Sequence, residues 1–169
     1  MRIRNAKESD YPKIIAVVDD WWGGRHMADM LPRLFFQHFS DTSFVAEEEG
    51  KPVGFLAGFV SQSRPNEAYV HFVGVHPDHR RGGIAVALYD RFYRTVRSRG
   101  CDTVRLVTAP INRASIAFHR SIGFQTEPGD SVVGGVAVST DYDGKGGSRV
   151  RFVRRLPPRE GSGETTHAP

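Results

Sequence analysis

The chain has 169 residues, a formal net charge of +4 and one cysteine, and these values exclude several classes of protein. The length fits one domain, and a content of 39% hydrophobic and 25% charged residues is too apolar for a disordered chain. The lone Cys101 forms no internal disulfide and builds no cysteine-based zinc site. No stretch has the roughly 18 apolar residues of a membrane span, and the N-terminal residues lack a signal peptide's apolar run. We therefore expect one folded domain in the cytoplasm, with no membrane partner.

The basic excess fits nucleic acid, an acidic membrane surface or a small anionic ligand such as a phosphorylated cofactor. Its distribution favours the last of these. Acidic residues dominate near residues 47–49, whereas arginines crowd a segment that also contains Gly82 and Gly83. The arginines of that segment are Arg80, Arg81, Arg91, Arg94, Arg97, Arg99 and Arg105. We interpret this crowd as the place where a phosphate-bearing ligand binds, and we expect no nucleic-acid partner.

The first half of the chain alternates between short strands and helices. Residues 3–6 predict a strand, and Ser9 or Asp10 then caps a first helix with an apolar spacing that includes Ile14 and Val18. Two tryptophans and two glycines end this helix, and residues 31–39 restart a helical pattern. Two antiparallel strands joined by a turn are then predicted over residues 43–48 and 53–61.

The second half contains the elements on which the functional argument rests. Residues 68–75 predict a central strand, in which Gly74 indicates a bulge or a close backbone approach. A long helix and a second strand come next, and they are followed by a helix that Asn112 caps. A glycine-rich loop then separates the last two strands. In chain order, the predicted elements after the central strand are a helix over 84–99, a strand over 103–108, a helix over 113–121, and strands over 131–139 and 149–156.

This order of elements predicts the fold class and the domain organisation. We expect a single α/β (α+β) domain over residues 1–156, with a mixed central sheet of six to seven strands flanked by about four helices. The polar residues 157–169 are expected to form a disordered tail. The chain shows neither an internal repeat nor an interior linker.

The turn between the central strand and the long helix predicts an anion site. The N–H groups of a helix's first turn lack partners within the helix and lie at the positive end of its dipole. Gly82 and Gly83 let a phosphate approach the backbone, while Arg80 and Arg81 add positive charge. The segment matches neither a P-loop nor a dinucleotide-binding motif, which argues against a nucleoside triphosphate. Taken alone, it also fits an ordinary helix start with solvated arginines.

A second motif lies one strand further along the chain. It reads Asn-x-x-Ser-Ile-x-Phe-x-x-x-x-Gly-Phe and runs from Asn112 to Phe124. Together with Arg80-x-x-Gly83-x-Ala85 in this order and at this separation, it resembles the GCN5-related N-acetyltransferase (GNAT) superfamily. The resemblance covers essentially residues 1–156.

The resemblance implies that the cofactor is acetyl-CoA. It implies a pyrophosphate on the backbone amides of residues 81–85, a pantetheine arm along a splayed strand around Val73 and Val75, and an Asn112 side chain that contacts the arm. The Val73 amide would polarise the thioester carbonyl. The residues implied for the cofactor are Val73, Val75, Arg80, Arg81, Gly82, Gly83, Ile84, Ala85, Asn112 and Ser115.

The expected acid of the reaction stands at a position where this sequence departs from the family. A donor helps the CoA thiolate to leave, and the family commonly places a tyrosine seven residues after the asparagine for this role. That position is His119 here. An imidazole donates from its protonated form or hydrogen-bonds the sulfur, so His119 is the predicted acid and Tyr142 a substitute. A structural role for a helix histidine remains open.

A base is also expected, because a free alkylamine has a pKa of about 10.4 and is mostly protonated at neutral pH. Alternation along the central strand places Glu67, Tyr69, His71 and Val73 on one side. Some relatives carry a glutamate at the position of Tyr69, so His71 or Glu67, acting through water, is predicted to be the base. A core or cross-strand role is the alternative for both residues.

The acceptor is expected between the first helix connection and the late loop. Trp21, Trp22, Asp141 and Asp143 lie in these two segments, and aromatic rings with two aspartates suit a cationic amine. The predicted reaction is acetyl transfer to a primary amine of a small molecule or peptide, by direct attack in a ternary complex. The sequence leaves open whether two chains pair as a homodimer.

Two other functions compete with this prediction. A non-catalytic domain that binds or senses acyl-CoA is the alternative, because the usual tyrosine and glutamate are missing. A nucleic-acid-binding module rests only on the basic balance, and it predicts strongly salt-dependent binding. No metal site is expected, because the histidines of the central strand and the following turn have no cysteine partner and no carboxylates at ligand spacing.

Overall fold

The computed structural model describes residues 1–158, so residues 159–169 of the predicted tail lie outside the described residues. The helices of this part are α1 (Tyr11–Ile15), α2 (Val18–Trp21), α3 (Leu34–Gln37), α4 (Ile84–Ser98) and α5 (Arg113–Ser121). The strands are β1 (Arg2–Asn5), β2 (Phe44–Glu48), β3 (Lys51–Val60), β4 (Glu67–Val75), β5 (Thr103–Thr108), β6 (Gln125–Thr126), β7 (Ser131–Val133), β8 (Val136–Val138) and β9 (Val150–Arg155).

Seven of these strands form one mixed sheet in the order β1-β2-β3-β4-β5-β9-β6. Neighbouring strands are antiparallel except β4 and β5, which are parallel and are connected through α4. The predicted fold class, a mixed sheet flanked by helices, is confirmed. The parallel pair matters for function because it is the place where two strand ends open side by side.

Each face of the sheet is covered by its own hydrophobic cluster. On one face α4 buries Leu88, Phe92 and Val96, and on the other face α1 and α3 bury Ile14 and Phe35. Full burial of one such side chain stabilises the fold by about 1.5–3 kcal/mol. The sheet is therefore held between two cores, and β4 runs through the middle of both.

The N-terminal helices are shorter than the apolar spacing predicts. Val17, with φ −121°, leaves the helical conformation and separates α1 from α2. The pattern predicted over residues 31–39 yields only Leu34–Gln37, because Pro32 precedes it and Thr42 follows in a turn. The consequence is a long connection over residues 22–33, with one 3-10 turn at Ala28–Met30.

A β-bulge in β4 overturns the predicted alternation of its side chains. Against β3, Phe72 pairs with Ala57 but Val70 pairs with Gly58, so His71 is an extra residue without an opposite partner. His71 consequently stacks on Phe35 on the α3 face, with ring centroids 4.7 Å apart. Val73 packs into the α4 core on the opposite face. The prediction that His71 and Val73 share a face is therefore wrong.

The strand predicted over residues 131–139 is a hairpin. Gly134 and Gly135 both have positive φ, 56° and 79°, as a two-residue hairpin turn requires, and they join β7 to β8. The predicted strand over 149–156 is present as β9. The two-residue strand β6 was not predicted, since it is too short to give a pattern.

Candidate active site

The parallel strands β4 and β5 pair only at their beginnings. Their last register pair is Tyr69 with Arg105, and beyond it the strands diverge. His76 N–H donates to Val53 O on β3 at 2.9 Å. Because successive amides of a strand point to alternate edges, the Val73 and Val75 amides point to the opposite edge, where β5 has moved away. This places the predicted splayed strand at Val73 and leaves its amide facing an open edge.

Two cavities meet at this opening. The first, here called the α4 cavity, has a volume of about 620 Å³ and is lined by Val73, Val75 and the start of α4. The second, here called the loop cavity, has a volume of about 380 Å³ and lies between β4, β5 and the connection after α2. Four residues line both: Trp22, Val73, Ser115 and His119. A ligand in one cavity can therefore contact a ligand in the other at Val73.

The N-terminus of α4 is open to an anion. Gly83 is its N-cap, with φ +79° and without a capping side chain, and the first backbone bond within the helix is Ala87 N–H to Gly83 O. No atom lies within 4 Å of the position where a Cβ at Gly83 would stand. Ile84, Ala85 and Gly83 line the α4 cavity, so unpaired N–H groups and free space coincide there. These residues fit a phosphate-bearing cofactor.

Arg80 and Arg81 flank this opening in different ways. Arg81 has φ +64°, a left-handed conformation that is uncommon for residues other than glycine, and it lines the α4 cavity. Arg80 donates from Nε to Val75 O at 3.2 Å and from Nη2 to Trp21 O. Arg80 therefore joins the end of β4 to the end of α2. Gly82 is exposed beside this pair and lines neither cavity.

The interpretation of the seven arginines as one phosphate site is wrong. Of the seven, only Arg80 and Arg81 line the α4 cavity. A helix rises about 1.5 Å per residue, so an arginine late in α4 lies well away from its N-terminus. Arg99 pairs with Asp41 at 3.3 Å, and Arg105, on β5, binds Glu67 at 3.0 Å. Most of the local basic excess is thus spread along α4 and β5.

His119 lies on the wall between the two cavities, but it does not have the properties of an acid. It is only 4% exposed, and burial lowers the pKa of its imidazole to about 4. Nδ1 lies 2.7 Å from Ser115 O, which only accepts, so Nδ1 carries the proton and Nε2 accepts from the Tyr89 hydroxyl at 2.8 Å. The ring is neutral and both nitrogens are occupied. The predicted donation from a protonated His119 is not supported.

Tyr89 is a site residue that the sequence argument missed. It lies on α4, is buried, and lines the loop cavity. Burial raises the pKa of its phenol well above the usual value, so it stays neutral. Its partner His119 is 30 residues away on α5, and no local pattern connects the two.

Asn112 and Ser115 form the start of α5. The Asn112 Oδ1 accepts from Ser115 N–H at 3.1 Å, which confirms the predicted cap. The Ser115 hydroxyl lies 3.1 Å from His119 Nδ1. Because Nδ1 already carries a proton, Ser115 accepts there and keeps its own hydroxyl proton for another partner. Asn112 lines the loop cavity, and Ser115 lines both.

The two candidate bases, Glu67 and His71, differ in their access to the cavities. Glu67 lines neither cavity, and the Arg105 guanidinium holds the pKa of its carboxyl below the usual value. That ion pair removes Glu67 as a base. His71 lines the loop cavity, and its Nε2 lies 2.5 Å from Met30 O. Since a carbonyl only accepts, Nε2 carries the proton and the lone pair of a neutral ring stands on Nδ1.

The predicted acceptor residues are only partly brought together. Trp22 lines both cavities, whereas Trp21 is buried against Phe55 and lines neither. Asp143 lines the loop cavity. Asp141 and Tyr142 line neither, because Asp141 accepts from Gly146 N–H at 2.8 Å and Tyr142 lies under Arg151. Arg25 lies in the connection expected there and Tyr69 on the central strand, whereas Met27, Met30 and Arg149 are lining residues that the sequence did not indicate.

Residues 1–158 contain neither a membrane-spanning helix nor a cluster of metal ligands. No helix in this range is long and apolar enough to cross a membrane. In the same range, no three side chains of histidine, cysteine, aspartate or glutamate come together as a metal site would need.

An open strand edge beside an uncapped helix N-terminus, with a second cavity at the same wall, defines a site for an extended phosphate-bearing ligand and a second substrate. The family model described as the Acetyltransferase (GNAT) family matches residues 4–124. An acetyltransferase of Sodalis glossinidius (strain morsitans) is 30% identical over 138 residues, which is 79% of this chain and 92% of that protein.

The solved structures show the same fold. Ard1 from Thermoplasma volcanium has a TM-score of 0.74 at 21% identity, covering 93% of this chain and 98% of that one. An acetyltransferase from Salmonella typhimurium, solved with its cofactor acetyl-CoA, has a TM-score of 0.64 at 20% identity, covering 95% of this chain and 96% of that one. The chain belongs to the GNAT family; it is an N-acetyltransferase, its cofactor is acetyl-CoA and its acceptor is an amine.

Proposed function

We propose that this enzyme acetylates a primary amine of a small molecule or peptide by direct attack within a ternary complex. The observation that carries the proposal is the meeting of the two cavities at Val73 on the open edge of β4. With acetyl-CoA in the α4 cavity and the amine in the loop cavity, both reactants reach the same wall. No covalent enzyme intermediate is needed when both reactants reach one point together.

The cofactor side of the proposal uses backbone groups. The free amides at the start of α4 and the open space at Gly83 suit the phosphates. The Val75 and Val73 amides suit the amide-bearing arm and the carbonyl oxygen, and a donor aimed at a developing oxyanion is a large catalytic term. Acetyl-CoA supplies an acetyl group activated as a thioester.

His71 is the proposed base. Its ring is held by stacking on Phe35 and by the hydrogen bond from Nε2 to Met30 O, which directs the free Nδ1 lone pair away from that bond. Nδ1, directly or through one water, takes the proton that the acceptor amine loses as its nitrogen bonds to the acetyl carbon and the carbon–sulfur bond breaks. General base catalysis by a positioned group typically contributes 10²–10⁴-fold.

Ser115 is the proposed partner of the leaving sulfur. Its hydroxyl keeps a donatable proton because His119 Nδ1 already donates toward it, and it lines both cavities. A hydrogen bond from Ser115 would stabilise the thiolate without the tyrosine that the family commonly uses. His119 and Tyr89 then have a positioning role, since they fix Ser115 and the start of α5.

The proposal is tested by measuring CoA thiol release with acetyl-CoA and a panel of primary amines, with the acetylated product identified by mass spectrometry. We expect His71→Gln to lower kcat/KM by about 10² and to remove the base limb of the pH–rate profile, because the lone pair on Nδ1 is lost. The matched control His38→Gln changes an exposed histidine outside both cavities. Tight acetyl-CoA binding without thiol release for any amine would instead support the acyl-CoA-sensing alternative.

A further inference from the structure

The charged side chains of the loop cavity do not suit a purely cationic amine. Three such residues line it: Arg25, Arg149 and Asp143. Two are cations and one is an anion, so their formal sum is positive. The remaining lining is neutral or apolar apart from the imidazoles of His71 and His119, and His119 is neutral because burial lowers its pKa to about 4.

Asp143 is already engaged by one of these arginines. Arg149 Nε donates to Asp143 Oδ2 at 2.7 Å, and Arg149 Nη1 donates to Ser148 O at 3.0 Å. The Arg149 side chain is 24% exposed, and within residues 1–158 its Nη2 has no hydrogen-bond partner. Asp143 is thus balanced by Arg149, while Arg149 retains donors for a further acceptor.

Arg25 is the cation of this cavity that is left without a counter-ion. Across the described part of the chain its side chain makes neither an ion pair nor a hydrogen bond, although it lines the cavity beside Trp22. Its loop is held in place, because the Asp19 carboxylate accepts from the Met27 and Ala28 N–H groups at 2.7 Å each. Arg25 is exposed, and an arginine at a cavity wall with all five N–H donors free fits a planar anion such as a carboxylate.

The phosphates of CoA do not account for these cations. Neither Arg25 nor Arg149 lines the α4 cavity, where Gly83 and Arg81 lie. An anion that reaches Arg25 and Arg149 has to enter the loop cavity, which is the acceptor side in the proposed function. Its volume of about 380 Å³ is at the small end of ligand sites and suits a compact molecule.

We propose that the acceptor is an amino acid or a molecule of that size, whose carboxylate binds Arg25 and Arg149 while its amine faces His71 and Val73. This inference rests on the proposed function, because it takes the loop cavity to be the acceptor site. It replaces the sequence-based expectation of a cationic acceptor held by two aspartates, since Asp141 lies outside the cavity and Asp143 is paired with Arg149.

The test compares matched pairs that differ only in the carboxylate: lysine with cadaverine, phenylalanine with phenethylamine and tyrosine with tyramine. For each pair we measure kcat/KM by thiol release, and binding by saturation-transfer NMR in the presence of CoA. In the best pair, we expect kcat/KM for the amino acid to exceed kcat/KM for the matching amine at least tenfold. In Arg25→Gln the ratio should fall toward one, whereas Arg33→Gln, an exposed arginine paired with Glu8, should keep the wild-type ratio.

The two readouts separate this inference from the proposed function. Acids that bind through Arg25 without being acetylated would support the carboxylate site at Arg25 and overturn the proposed catalysis. Equal binding and turnover of acids and amines, or a ratio unchanged in Arg25→Gln, would overturn the inference while leaving catalysis intact. Acetylation confined to the N-termini of peptides with amidated C-termini would overturn the inference as well.

Discussion

At the scale of single residues, His119 shows how burial decides chemistry. The motif position predicts an acid, but the folded chain surrounds the imidazole with Tyr89, Phe124 and Phe152 and removes it from water. Desolvation disfavours the charged form, which lowers the pKa to about 4. His119 therefore remains neutral and links α5 to α4 through its hydrogen bond with Tyr89.

This environment makes stability depend on pH in a defined direction. The unfolded imidazole has a pKa of about 6.5, so between pH 6.5 and about 4 the unfolded chain binds more protons and stability falls as the pH falls. From pH 7.5 to pH 5 the loss from this one group is about 2 kcal/mol. Urea denaturation at both pH values should show this difference in wild type and in the exposed-site control His38→Gln. It should be smaller in His119→Gln, and an unchanged difference would contradict the account.

The residues of the site divide into those that local sequence predicts and those that it does not. Asn112 was predicted correctly as a cap, because a cap depends on the few residues that follow it. The roles of His119 and Glu67 were not, because their partners Tyr89 and Arg105 are 30 and 38 residues away in the chain. Pairings at such separations arise only when the sheet and helices assemble.

At the scale of elements, β4 is the strand that organises the site. Its bulge at His71 turns that ring toward α3 while Val73 still packs toward α4. Its Gly74 lies directly under Trp22, where the sequence predicted a close approach. A single strand thus supplies the proposed base His71, the proposed oxyanion donor at the Val73 amide, and Gly74 beneath Trp22, which lines both cavities.

The substitution Gly74→Ala tests this close approach. Its Cβ would lie 2.6 Å from Phe55 Cε1 and 2.8 Å from Trp22 Cη2, so we expect a loss of stability of about 1–3 kcal/mol and weaker acetyl-CoA binding as Trp22 moves. Gly82→Ala is the stability control, because its Cβ would meet only His79 O at 3.4 Å. Chemical denaturation and calorimetric titration measure the two effects. Equal stability of the two variants would contradict the expected steric conflict of a Cβ at Gly74 with Phe55 and Trp22.

The elements themselves were largely predictable, with failures of a particular kind. The long helix and β5 follow strong local patterns and agree with the structure to within one residue. The bulge did not appear in the sequence of β4, since it is a mismatch of register with β3. The hairpin of β7 and β8 was predictable but was read as one strand, since Gly134 and Gly135 between two valine-containing runs are typical of a two-residue hairpin turn.

At the scale of the whole molecule, the net charge of +4 reflects cofactor binding only in small part, although the arginines cluster in the sequence near the cofactor motif. Arg4 is held by Asp10 and Glu47, and Arg105 by Glu67 and Glu127, so several arginines serve the fold. In the proposed function, the cofactor is held instead by backbone amides of β4 and α4. We therefore propose that the open edge of β4 and the N-terminus of α4 together hold acetyl-CoA.

An acetyl-CoA titration of ¹⁵N-labelled protein, followed by amide chemical shifts, tests this claim most directly. The largest shifts should fall on Val73, Val75 and the first turn of α4 from Gly83, while amides of β1 and β2 stay nearly unchanged. Saturable binding whose shifts cluster away from both β4 and the start of α4 would contradict the account.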